Sequence, residues 1–223
     1  KNTDNNRELV KNGFVLTKAK EFPSLPPIKN TTNLKHKQIN KKFEKLNILI
    51  TGLDRIHFYN FERFLDVVDE LNKQGYNIKI KVTGVRRKRS YILPESPNVE
   101  YVGRVNFEQL AKLYITNDFL MTFFDKNSKK YQEDHLSFLN GRTSGSRNQS
   151  VIFGIPILVQ KPFQESWDLN NNNSISYENT DYEKLLLSLF EITPEKYNNI
   201  IKSLFELQNQ ENNICVENLK NKI

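Results

Sequence analysis

The sequence predicts an α/β fold built on one mostly parallel sheet of about six strands, with helices on both faces. Three observations predict it. From residue 46 onward, short apolar and β-branched runs alternate with segments of helical periodicity. One helix falls in each crossover, as parallel neighbours require. The run Phe119-Leu120-Met121-Thr122-Phe123-Phe124 is too apolar to be anything but core.

Residues 1–45 predict an approach segment or linker and not a domain. Phe14-Val15-Leu16-Thr17 fits one short strand. Phe22-Pro23-Ser24-Leu25-Pro26-Pro27 must be extended, because proline fixes its own φ and disfavours helix in the residue before it. The domain proper is predicted over 46–223. Leu46 to Thr51 is a buried strand ending at Gly52, and Phe61, Phe64, Leu65, Val68 and Leu71 follow at helical spacing up to a Gly75 cap. Asn77 to Gly84 alternates as a second strand, and Asn98 to Gly103 supplies a third. A helix from about Asn106 to Ile115 leads to the Phe119 run. After a polar loop from Asp125 to Arg142 come a short helix, a Gly154-Ile155-Pro156 corner and a strand from Pro156 to Val159. Ser174 to Tyr177 is a last strand before two helices, the second starting with Thr193 as N-cap and Pro194 as first helical residue.

Composition narrows the function. A hydrophobic content of 37% with 15 Phe and 9 Tyr is enough for a real core in a chain of 223 residues. The net charge of +7 favours polyanions, phosphorylated ligands or anionic membrane surfaces without choosing among them. Cys215 is the sole cysteine, so an internal disulfide is excluded, and His36, His57 and His135 show no ligand spacing, so no metal site is expected. No apolar run is long enough to span a bilayer, and no signal peptide is visible. The chain begins with Lys1 and not Met, which leaves open that it is a piece of something longer.

In parallel sheets ligands bind beyond the carboxyl ends of the strands. Those ends carry Gly52 to Arg55, Gly84-Val85-Arg86-Arg87-Lys88-Arg89, Gly103-Arg104-Val105, Arg142 to Arg147, and Lys161 to Ser166. Ser144-Gly145-Ser146 places small residues where a helix begins, so unpaired N–H groups and the positive helix end would face a ligand. Arg142 and Arg147 flank it with guanidinium groups suited to phosphate. The same residues also fit an ordinary loop-to-helix corner with two solvated arginines. Phe163 and Trp167 fit either a pocket wall or, as is more frequent, structural core.

The series Asn47 to Gly52, Ile80 to Gly84, Val99 to Val105 with Leu110-Ala111-Lys112-Leu113-Tyr114, and Gly154-Ile155-Pro156-Ile157-Leu158 resembles the C-terminal half of a GT-B glycosyltransferase. The resemblance covers about residues 46–210 and implies a Rossmann-like, three-layer domain that holds a nucleotide-diphosphate sugar. It implies an enzyme, or part of one, that transfers the sugar to a glycan, lipid or protein acceptor, with no cofactor beyond the donor. It also implies a partner half to close the site and a cytoplasmic location, including a membrane-associated face. The base would lie near Val102, Gly103, Arg104 and Val105, and the diphosphate on Ser144, Gly145, Ser146 and Arg147. Gly52, Arg55, Arg86 and Lys88 would stand nearby, with Gln149 at the ribose and Glu165 at the sugar.

The chain departs from the family pattern at two positions. Many retaining members carry a glutamate seven residues before the proline of the corner and another eight residues earlier; here those positions are Gln149 and Gly141. A neutral amide can still hydrogen-bond a ribose hydroxyl. Asp54 and His57 are close enough to the first strand to reach the cleft, but neither is assigned as a base. Two alternatives stay open: a nucleic-acid or polyphosphate-binding module, from Arg86 to Arg89 and the net charge, and a glycosyltransferase-like domain without catalysis.

Overall fold

The computed structural model describes residues 38–52, 58–84, 93–123, 145–178 and 180–220, with the backbone alone for 58–59 and 214–220. The expected strand at Phe14 to Thr17 lies outside them. The strands are β1 (Leu46–Thr51), β2 (Ile78–Thr83), β3 (Val99–Gly103), β4 (Phe119–Met121), β5 (Ile157–Gln160) and β6 (Ser174–Tyr177). The helices are α1 (Phe58–Lys73), α2 (Phe107–Thr116), α3 (Gly145–Phe153), α4 (Lys161–Ser166), α5 (Tyr182–Phe190) and α6 (Pro194–Lys220). All six strands form one sheet in the order β3-β2-β1-β4-β5-β6, and every pairing is parallel. This is a Rossmann-like α/β fold, and the sheet is wholly parallel where a mostly parallel one was expected.

Period-2 alternation divides each central strand between two cores. Ile48 and Ile50 of β1, Phe119 and Met121 of β4 and Leu158 of β5 join α1, α5 and α6 on one face. Leu49, Leu120, Ile157 and Val159 join Ala111 and Tyr114 of α2, Phe153 of α3, Phe163 of α4 and Trp167 on the other. A strand buried on both faces has no polar side to show, which is why these runs read as continuously apolar.

Local chemistry fixes the helix ends. Gly75, at φ +99°, closes α1 with Gly75 N–H donating to Asn72 O and Tyr76 N–H to Leu71 O, both 3.1 Å. Asn106 caps α2 reciprocally with Gln109, at 2.9 and 3.1 Å. Lys196 N–H donates to Thr193 Oγ1 at 3.2 Å, so α6 starts as its sequence predicts. The described end of the approach segment, 38–45, adds no strand and docks on α6. Ile39 N–H donates to Asn198 Oδ1 (3.0 Å), Asn198 Nδ2 donates to Ile39 O (2.8 Å), and Phe43 packs edge-on against Tyr197.

Candidate functional site

The strand order reverses between β1 and β4. The chain moves from β1 outward through β2 to β3, then returns across β1 to lay β4 on its other side. In a parallel sheet such a reversal is the switch point, where ligands bind beyond the carboxyl ends of the strands. The next described helix after β4 is α3, and its first turn lies beside the end of β1: Ser146 Oγ is 3.4 Å from Thr51 Oγ1, the last residue of β1. Backbone N–H groups of the first helical turn have no partner within the helix, and the positive end of its dipole is there. Gly145 opens the turn, is exposed, and has only empty space where a Cβ would stand.

Three glycines, Gly52, Gly84 and Gly103, end β1, β2 and β3 at φ +63°, +78° and +77°. Gly84 comes so close to its neighbour that a Cβ on it would sit 3.2 Å from Gly52 N and 3.3 Å from Gly52 Cα. Thr83 Oγ1 and Gly84 N–H both donate to Gly103 O, at 2.9 and 3.0 Å. At this edge the described backbone is packed closely at positions that only glycine suits.

Beneath the first turn of α3 lies a polar cluster. Tyr114, fully buried on α2, donates from its hydroxyl to Gln149 Oε1 on α3, while its ring stacks on Phe153 at 4.8 Å and 7°. Burial pushes its pKa up to about 12, and a hydrogen bond from Thr51 works against that rise.

The expected site residues divide into three groups. Gly52, Val102, Gly103, Arg104, Val105, Gly145, Ser146 and Gln149 all lie at or just past the carboxyl edge, with Arg104 exposed. Glu165, also exposed, lies on α4, a short helix that starts directly after β5 at the same edge. Arg55, Arg86, Lys88 and Ser144 lie outside the described residues, as do Gly141, Arg142, Asp54 and His57.

Arg147 requires a correction. Its side chain is 4% exposed and turned inward, with Nη2 2.5 Å from Glu211 of α6 and Nε donating to Trp167 O at 3.0 Å. Its guanidinium fixes α3 to α6 and to the turn after α4, so it does not flank a phosphate. The physical reason is helical phase: as the third residue of α3, Arg147 falls on the face shared with Ser150 and Val151, which the core covers. Phe163 and Trp167 are both at 0% exposure and are structural core, so they line no pocket. Thr51, Tyr114 and Glu211 were not foreseen. Thr51 was within reach, as the last residue of a predicted strand at the ligand edge; the other two carry no local signal.

A cleft of ≈ 450 Å³, lined by Asn171, Asn172, Thr193 and Lys196 among others, precedes β6 and so lies at the amino edge of the sheet, away from this site. Among the described residues no group of His, Cys, Asp and Glu could hold a metal ion, and no helix is long and apolar enough to cross a membrane.

These features define the class: a Rossmann-like domain whose anion-suited helix end stands at the switch point of the sheet. No protein-family model matches the chain, and no curated protein does. Among solved structures it is similar to the C-terminal domain of a glycosyl transferase group 1 family protein (LpcC) from Francisella tularensis, at 9% identity and TM-score 0.48, over 80% of this chain and 96% of that one. It is also similar to a glycosylation-associated protein complex (Gap123) from Streptococcus agalactiae, at 11% identity and TM-score 0.48, over 76% of this chain and 34% of that one. A Listeria monocytogenes protein assigned as a UDP-N-acetylglucosamine 2-epimerase gives 12% identity and TM-score 0.47, over 77% of this chain and 44% of that one. The chain thus spans less than half the length of the last two, and likenesses at this level say nothing of what it binds.

Proposed function

We propose that the chain is the donor-binding half of a GT-B glycosyltransferase, holding the diphosphate of a nucleotide sugar on the first turn of α3. The observation that carries this reading is the Ser146 to Thr51 contact, which sets a helix N-terminus against the end of β1 at the switch point. The base-side residues Val102 to Val105 follow β3, and Glu165 follows β5. These strands stand four positions apart in the sheet, about 19 Å at about 4.8 Å per strand, so an extended ligand could reach both.

The helix end contributes roughly 0.3 to 1 kcal/mol, and up to about 2 if partly buried. An exposed guanidinium would have added about 1.5 to 3 kcal/mol, but Arg147 is turned away, so that share falls to Arg104 and to Arg55, Arg86 and Lys88. A second reading, a glycosyltransferase-like domain without catalysis, is favoured by one observation: Gln149, a neutral amide already bonded by Tyr114, stands where retaining members of the resembled family carry glutamate.

Calorimetric titration of the full chain with UDP, GDP and their sugars at two salt concentrations tests the proposal. Binding of a nucleoside diphosphate with modest salt dependence supports it, and turnover of the sugar nucleotide separates enzyme from binding domain. Failure to bind any nucleoside diphosphate, with short DNA or RNA bound and a steep salt slope, would replace it with the nucleic-acid reading.

A further inference from the structure

We infer that Tyr114 is a positioning residue for ligand binding: it turns the carboxamide oxygen of Gln149 inward, so that α3 offers N–H donors there and the ligand group best met is an anionic phosphate oxygen. The inference rests on the proposal that the first turn of α3 seats a diphosphate.

Ser146 and Gln149 are three residues apart and share a face of α3, about 4.5 Å apart along the axis. Both reach toward the end of β1 and the buried side of α2, Ser146 through Thr51 and Gln149 through Tyr114. The Tyr114 ring is clamped by its stack on Phe153, so its hydroxyl is a fixed point. That hydroxyl has one proton. The phenolic proton goes to Gln149, and only the carboxamide oxygen can accept it. Burial keeps the phenol protonated throughout the neutral range, so it remains a donor to Gln149 there. Gln149 is half-buried, and among the described residues nothing accepts from its Nε2. Two donors are therefore left for a ligand. A carboxylate at this position would offer acceptors only and would repel phosphate.

The test titrates the full chain with inorganic pyrophosphate, UDP and uridine, comparing the parent with Tyr114→Phe, Gln149→Glu, Gln149→Ala and the double variant Tyr114→Phe/Gln149→Ala. Tyr114→Phe keeps the ring stack and thus the fold. It should weaken pyrophosphate binding by about two- to tenfold, the value of one neutral hydrogen bond. Gln149→Glu should weaken it by about tenfold or more, with uridine affected less. In the Gln149→Ala background, Tyr114→Phe should have no further effect, because its influence passes through the amide. Equal losses from Tyr114→Phe in both backgrounds, or parental affinity in Tyr114→Phe and Gln149→Glu, would overturn the inference and leave the diphosphate seat standing. A parent that binds neither pyrophosphate nor UDP would remove the seat and the inference with it.

Discussion

Among the described glycines, Gly154→Ala should be the most damaging single-methyl change. Gly154 closes α3 and opens the Gly-Ile-Pro corner at φ +67°, a region that costs L-residues about 1 to 2 kcal/mol. A Cβ built there lies 2.6 Å from Phe205 Cζ and 2.9 Å from Phe205 Cε2, about 1 Å inside the usual carbon–carbon separation of about 3.5 to 4.0 Å. Phe205 belongs to α6 and packs against the main core, so either the ring or the helix must yield, at about 1 to 3 kcal/mol. The sum is about 2 to 5 kcal/mol. With m near 2 kcal/mol/M, the urea midpoint should fall by about 1 to 2.5 M. Trp167 is the single tryptophan and fully buried, so its fluorescence reports the transition. Phe205→Ala in the Gly154→Ala background should recover the steric part and not the backbone part, giving a favourable coupling of about 1 to 3 kcal/mol in the double-mutant cycle. A loss under about 1 kcal/mol, or no coupling, would mean that α6 does not seat on Gly154 as described.

Three other changes should behave differently from one another. Glu211→Ala removes the carboxylate that Arg147, 4% exposed, is paired with and should cost about 1.5 to 3 kcal/mol in urea denaturation, whereas Glu206→Ala, on the same helix in an exposed pair, should stay within about 1 kcal/mol. Gly145 has open space where a Cβ would stand, so Gly145→Leu should keep the parent's melting temperature while UDP affinity drops by about tenfold or more as the side chain blocks the helix end. Tyr101 and Tyr114 both have pKa values pushed up to about 12 by burial, so the unfolded chain loses these protons first as pH rises from 10. Their contribution is fully present below pH 10 and is lost toward pH 12; tyrosinate absorbance should appear together with loss of ellipticity, and ionisation of all nine tyrosines without unfolding would refute it.

The sheet was legible because burial on both faces leaves its mark residue by residue. Leu46 to Thr51 and Ser174 to Tyr177 carry that mark within their own lengths, and both strands have the bounds their sequences predict. Caps were legible for the same reason, since Thr193 acts on a helix one residue away. The short helix α4 was not, because Pro162 reads as a breaker in an edge loop although it also suits a first helical turn. The candidate site was half legible. Its backbone part, Gly145 and Ser146 ahead of an apolar helix, is written in sequence order. Its side-chain part is not: Arg147 looks the same whether it meets solvent or Glu211, and only the packing of α6 on α3 decides. Tyr114 reads as one more apolar position of α2, and nothing near it in sequence announces its bond to Gln149.

The strand order has a consequence for how the molecule comes to be built. β1 pairs with β2 across a short crossover, and β2 with β3 likewise, so this half can close soon after its residues leave the ribosome. β4 reaches β1 from far along the chain: the bond from Asn47 to Asp118 spans 71 positions, and the Thr51 to Ser146 contact spans 95. Loops of that length close slowly, and sheets that depend on them fold late. The juxtaposition of α3 with the end of β1 is therefore not inherited from either half but created when the second joins the first, and α6, which seats α3 through Phe205 and Glu211, is synthesised after everything it holds. A ribosome-bound chain released short of α6 would carry the strands and the glycines but not a fixed helix end, so ligand binding should be the last property the nascent chain acquires.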